Sequence, residues 1–294
     1  MPEISYRKSG YHDLGIIDEP VMVFGGPYSN LQATTALMRT AADLGILADR
    51  MICTGDIVAY CAAPAQTTDV IRQSGVHAIQ GNCEISLSED ADDCGCGFEE
   101  GSTCDRLSAH WFDYARQQMG KEARDWMGKL PRQIRFRMNG KSFAVVHGSA
   151  SDVSRFVFPS TPTKEKLSEI NLSECDGVIC GHSGLPFTQI MDGLLWHNAG
   201  VIGMPANDGT PRSWFSLIEP TYQGISVRHI ALEYDHKGAR DDMKQALLPE
   251  EYSKALTTGL WDNCDILPEK ETAQQGKPLS FQDYLWPNMS TAAE

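Results

Sequence analysis

The 294-residue sequence has no apolar run near the roughly 20 residues that a membrane-spanning helix needs. Basic residues are also short: 25 Lys and Arg stand against 39 Asp and Glu, a formal net charge of −14. That balance disfavours a polyanion-binding surface, and with it nucleic acid as the main partner. The opening MPEISYRKSGYHDLGIIDEP lacks the apolar stretch of a signal peptide, so secretion is not expected and the cytoplasm is the expected compartment. A local absence is more telling. The stretch VMVFGGPYSNLQA reads as a buried strand, a tight loop and the start of a helix, the arrangement in which α/β enzymes usually place ligand-binding side chains. Yet no Asp, Glu, His, Lys or Cys lies between Phe24 and Gln32.

What is present fits a soluble globular chain long enough for one large domain or two modest ones. Apolar runs at 21–25, 51–54 and 76–80 predict strands, and helical patterns at 31–44 and 64–74 lie between them. This alternation implies βαβ units in a mostly parallel sheet. The polar, glycine-rich segment SEDADDCGCGFEEGSTCD then reads as a long loop, with an insertion at about 86–105. One helix is expected over 106–129, with Trp111, Ala115, Met119 and Trp126 at helical spacing. RQIRFRM, SFAVVHG and DGVICGH read as strands, and TQIMD, LLWHN, WFSLIEP and GISVRHIALEYD as later strands with hairpin character. These observations place one domain at 1–237 and a helical extension with an acidic tail at 238–294, with little independent structure beyond 277.

Four polar clusters fall at the C-terminal ends of predicted strands: TGD (Asp56), GNCE (Asn82, Cys83, Glu84), VVHG (His147) and CGHSG (His182). In a parallel sheet such ends open on one edge, so these groups can converge. Two imidazoles, a carboxylate and an amide suit a divalent transition metal such as Mn, Fe or Zn. Each also has a plainer reading. Asp56 could cap a helical segment, Asn82 could be a turn residue, and His147 and His182 could be core histidines. Cys83 could be an inert buried thiol.

In order, GD, GN, H and GH resemble the calcineurin-like metallophosphoesterases. NLQA after the first strand, GDIVAYCAAP, HNAGVIGMPANDGTPRSWFSLIE and VRHIALEYD extend the likeness over about 21–235. The resemblance implies a four-layer α-β-β-α sandwich and metal-dependent hydrolysis of a phosphomonoester or phosphodiester, with a small phosphorylated molecule as the partner. It implies Asp56 as a carboxylate bridging two metals, and Asn82, His147 and His182 as the rest of one site. The other site is dismantled. The family's Asp-x-His falls on Gly26-Pro27-Tyr28, and the last His of its GHxH falls on Gly184. The His after Asn, assigned in the family to leaving-group protonation or phosphate orientation, is Cys83, and the following Asp is Glu84. Cys83 and His147 hold the catalytic positions by this likeness. His197 lies near the site by the same likeness, with a structural role equally open.

Without an export signal, the nine cysteines are expected as free thiols or metal ligands rather than disulfides. Cys94, Cys96 and Cys104, with Cys83 or Cys61 nearby in sequence, fit three readings: incidental thiols on an acidic loop, a structural Zn or Fe site, or a loop folded over the dismantled centre. Three functions stay open: a phosphoesterase with one retained metal, a non-catalytic metal-binding or regulatory protein on the same scaffold, and an enzyme of another class with a cysteine-rebuilt centre. A phosphate substrate would need a local basic patch, for which Arg155 and Arg212 are the candidates.

Overall fold

The computed structural model describes residues 10–99 and 101–288. The chain runs through β1 (His12–Ile16), β2 (Val21–Phe24), α1 (Leu31–Asp43), β3 (Met51–Cys53), α2 (Pro64–Ser74), β4 (His77–Ala78) and α3 (Asn82–Ser88). Next come α4 (Thr103–Gln118), α5 (Lys121–Met127), β5 (Ile134–Met138), β6 (Lys141–Val145), α6 (Thr163–Ser173) and β7 (Gly177–Cys180). Two hairpins follow, β8 (Phe187–Met191) with β9 (Leu194–Asn198) and β10 (Ser213–Thr221) with β11 (Gly224–Leu232). The described chain closes with α7 (His236–Gln245), α8 (Glu250–Thr258), α9 (Glu269–Thr272) and β12 (Tyr284–Pro287).

The strands form two six-stranded sheets, ordered β12-β11-β10-β2-β3-β4 and β1-β5-β6-β7-β9-β8. Alternation along β2 shows how they stack. Val21 and Val23 enter the core between the sheets with Ile52, Phe136, Phe143 and Ile179, while Met22 and Phe24 face the helical layer holding Leu37, Trp111 and Met243. On the far side, Val178 and Trp196 pack against Ile170 of α6. The result is helix, sheet, sheet, helix: the four-layer sandwich.

Local signals fix several boundaries. The Asn30 side chain accepts the Ala33 N–H at the start of α1, and Pro64 opens α2, which ends on left-handed Gly75. The helix expected over 106–129 is instead two, because Met119 turns extended and Gly120 caps α5. Little independent structure is expected beyond 277, and the strand described there is held by the domain's own sheet. Tyr284–Pro287 pairs with β11, and Trp286 is buried edge-on to Phe143 with its indole N–H donating to the Gly193 carbonyl. An apolar ring on a short edge strand reads as tail until the core it fills is known.

Candidate metal centre

Four loops at strand C-termini meet where the two sheets adjoin. Asp56 follows β3 in a left-handed conformation (φ 55°), a strained state that an Asp holds only when its surroundings fix it. The fixing group is Glu84, whose carboxylate accepts the N–H groups of Asp56 (2.7 Å), Ile57 (2.8 Å) and Gly81 (2.8 Å). Gly81 must be glycine, because a Cβ there would collide with Asp56 Oδ1.

His147 follows β6, and its Nδ1–H donates to the Thr54 carbonyl at 2.6 Å. Its Nε2 faces Asn82 Oδ1 (3.1 Å), His182 Nδ1 (3.0 Å) and Asp56 Oδ2 (3.2 Å). Ligand atoms of Asp56, His147 and His182 lie within 4.8 Å of one another, and all three residues are buried. Acceptor atoms of Asp56, Asn82 and His182 crowd around His147 Nε2, a point that suits positive charge, whether a proton on that nitrogen or a cation displacing it, and a backbone carbonyl on the remote imidazole nitrogen is the usual orienting partner of a ligating histidine. The set fits a divalent transition metal.

Burial disfavours the charged forms, yet the opposite charges of Asp56 and His147 outweigh it, holding the carboxyl low and the imidazole above its ordinary value. Burial and the neighbouring His147 push His182 down to about 3, so its lone pair is available. For Glu84, burial and the Asp56 charge raise the carboxyl to about 7 against the pull of its N–H donors.

Residues 27–219 match the calcineurin-like phosphoesterase superfamily domain. The chain belongs to that superfamily. An uncharacterized protein of Methanocaldococcus jannaschii is 22% identical over 261 residues, covering 83% of this chain and 100% of its own. Among solved structures, a hypothetical protein from Pyrococcus horikoshii aligns with a TM-score of 0.68 at 21% identity, over 82% of this chain and 98% of that one. A metallophosphoesterase from Sphaerobacter thermophilus aligns at 0.65 and 20% identity, over 83% and 100%. At these identities the likeness is one of fold.

In this member of the calcineurin-like phosphoesterase superfamily, the loop at 25–30 is a strut. Gly26 N–H donates to Gly55, Tyr28 N–H to Asp56 and Ser29 N–H to Ile57, so its backbone clamps the Asp56 loop. The Tyr28 ring folds back under Gly26 and packs edge-on to Tyr60 with centroids 4.8 Å apart. Gly184 contributes no ligand and lies against Trp261.

Above Asp56 and His182 is a cavity of about 90 Å³ walled by Tyr28, Tyr60, Phe98, Phe156, Tyr252 and Trp261. Its described lining contains neither Lys nor Arg. Arg155 is paired with Glu165 and Glu169, and Arg212 with Asp208, so neither supplies the expected basic patch. His197 lies outside the centre, buried in β9 with Nδ1 on the Thr188 hydroxyl. The sequence reading missed Thr54 and Phe156, whose ring stacks on His182 at 4.3 Å. A backbone acceptor and an unflagged Phe leave no motif to find.

The cysteines divide. Cys83, 1% exposed, does not border the cavity; burial and the carboxylates of Asp56 and Glu84 hold its thiol well above the ordinary range. Cys94 and Cys96 are joined in a disulfide, against the expectation of free thiols, because the turn at left-handed Gly95 brings their Cα atoms to 5.3 Å. Cys104 instead donates to Asn263 Oδ1 at 3.2 Å. The four cysteines therefore do not surround one point, but their loop does fold onto the centre: the Asn82 amide donates to the Cys94 carbonyl at 2.9 Å.

Proposed function

We propose that the chain is a metal-dependent phosphoric ester hydrolase working with one divalent ion held by Asp56, Asn82, His147 and His182. The observation that carries this reading is the convergence of their four donor atoms, with the His147 Nδ1–H tied to Thr54. When bound, such an ion polarises a phosphoryl oxygen and lowers the pKa of bound water. The chain's own residues do the rest. Glu84 holds the Asp56 loop, and Thr54 sets the His147 ring. The aromatic walls exclude bulk water and admit a small, partly apolar alcohol group. Tyr28 occupies the position of a family imidazole, so the symmetric clamp of a two-metal site is absent from this form, and slow turnover of generic esters is expected.

A second reading, a metal-binding protein without catalysis, is favoured by the missing Lys and Arg in the cavity lining. One experiment separates the two: metal content by element, with hydrolysis of a phosphomonoester and a phosphodiester panel in Mn, Fe and Zn. The hydrolase reading expects about one ion per chain and activity that falls by 10²-fold or more in His147→Ala, together with loss of the ion. An ion bound without any metal-dependent hydrolysis would overturn it for the second reading.

A further inference from the structure

The cavity above the centre has a chemistry that phosphate binding by itself leaves unexplained. Its lining joins six Phe, Tyr and Trp side chains to the carboxylates of Glu251 and Asp262, and its described part holds no Lys or Arg. A pocket built for phosphate alone would show the reverse, cationic donors and few rings. Tyr28, Tyr60 and Tyr252 pack ring to ring, with centroids 4.8 and 4.6 Å apart, which fixes that wall. Trp261 is fixed by hydrogen bonds: its indole N–H donates to the Pro205 carbonyl at 2.8 Å, and its backbone N–H to Asn207 Oδ1 at 2.8 Å. With its one side-chain donor spent, the indole offers the cavity π surface and no hydrogen bond to a phosphoryl oxygen. The carboxylates, by contrast, have charge to spare. Lys254 is taken by Glu250, while Glu251 and Asp262 form no ion pair among the described residues.

We propose that the cavity recognises the cationic head of a phosphate ester of a quaternary amino alcohol, with Trp261 and Tyr252 as aromatic wall and Glu251 and Asp262 as countercharge. Ring faces carry the negative end of the aromatic quadrupole, and they attract an alkylated ammonium most strongly where water is excluded. A neutral alkyl group would fill the same space but gain nothing from the two carboxylates. The net charge of −14 draws cations toward the chain and disfavours a wholly anionic ligand. Glu251 and Tyr252 lie on α8, and Trp261 and Asp262 just after it, so the C-terminal extension supplies the selectivity of the centre. The fate of the ester rests on the hydrolase reading: the water oxygen joins phosphorus and the P–O bond to the alcohol breaks. The leaving alcohol oxygen takes one water proton, and phosphate keeps the other.

The test begins with isothermal titration calorimetry of the full chain, comparing choline with neohexyl alcohol, its isostere with carbon in place of the quaternary nitrogen. Choline is expected to bind about tenfold more tightly or better. Trp261→Leu and Glu251→Gln should each cut that preference by about threefold or more, and Trp261→Phe should keep most of it, which separates lost cation recognition from lost folding. No choline binding, equal affinity for the two alcohols, or a preference unmoved in both Trp261→Leu and Glu251→Gln would overturn the proposal. Hydrolysis of phosphocholine and glycerophosphocholine in Mn, Fe or Zn, each against its neohexyl counterpart, then reads the reaction. A cationic ester should lead in kcat/KM by about tenfold. Equal hydrolysis of cationic and neutral esters would refute the cation pocket and leave the hydrolase standing. Choline preference in calorimetry without hydrolysis of any ester would refute the hydrolase and leave the cation pocket standing.

Discussion

Glu84 shows how a residue that touches no substrate can govern a centre. Its two oxygens hold three N–H groups, and one belongs to the strained Asp56. Glu84→Gln replaces one acceptor by an amide N–H donor and faces it toward those backbone N–H groups. Leaving buried donors unpaired costs about 1–3 kcal/mol each where the acceptor was charged. The expected outcome is a Tm lowered by about 5 °C or more and weaker metal binding, because Asp56 loses its support. Differential scanning calorimetry with a metal titration checks both. A Gln variant that melts and binds like the parent would show that Asp56 is held by other means. Tyr28 acts at the same scale through volume: a ring stands where the family carries an imidazole, and the loop keeps its backbone bonds without contributing a ligand.

Elements place these residues, and β12 ties the C-terminal segment to the outer edge of the sheet whose β3 leads into Asp56. Trp286 is 1% exposed, and its ring meets Phe143 with centroids 5.3 Å apart while Lys141 Nζ lies 4.9 Å from its face. Truncation to Ala removes a buried aromatic ring and strands the Gly193 carbonyl, a loss of about 3–5 kcal/mol. Chemical denaturation of Trp286→Ala should show that loss, with metal content per folded chain unchanged. A loss under about 1 kcal/mol would mean the strand is an ornament of the sheet. The helices behave in the opposite way: α7 and α8 bring Tyr252 toward Tyr60, so the C-terminal extension helps wall the cavity.

For the whole molecule, acid sensitivity follows from two histidines away from the metal centre. His197 and His229 stack with centroids 4.8 Å apart, and both bond the Thr188 hydroxyl. Burial lowers both, His229 to about 3. Their folded values lie below the unfolded value near 6.5, so below that pH the unfolded chain binds more protons than the folded one. Their stability contribution is intact above about 6.5 and is lost as pH falls toward the folded values, at about 1.4 kcal/mol per pH unit per histidine. The pair should therefore cost about 4 kcal/mol at pH 5 relative to pH 8. Urea unfolding at the two pH values measures the difference, and His229→Gln should remove about half of it. An unchanged pH dependence in that variant would assign acid sensitivity elsewhere.

The sequence alone determined the strands around β2 and β3, the helix α2 and the order of the strand-end clusters that carry Asp56, Asn82, His147 and His182. Those signals are local: buried runs, a Pro at a helix start and dipeptides at strand ends. It also placed Gly26, Tyr28 and Gly184 at the positions where the family pattern has Asp, His and His. Tertiary structure decided what each position does. The Arg155 and Arg212 side chains go to carboxylates, not to a phosphate pocket, because ion pairing depends on neighbours 10 and 4 residues away as well as on the fold that aligns them. Trp286 became core and Tyr60, Tyr252 and Trp261 became cavity wall for the same reason: burial is set by packing between distant elements, which no window of sequence contains. The Cys94–Cys96 bond and its place on Asn82 likewise depend on where the loop folds, and that contact is what lays the cysteine-rich insertion against the candidate centre.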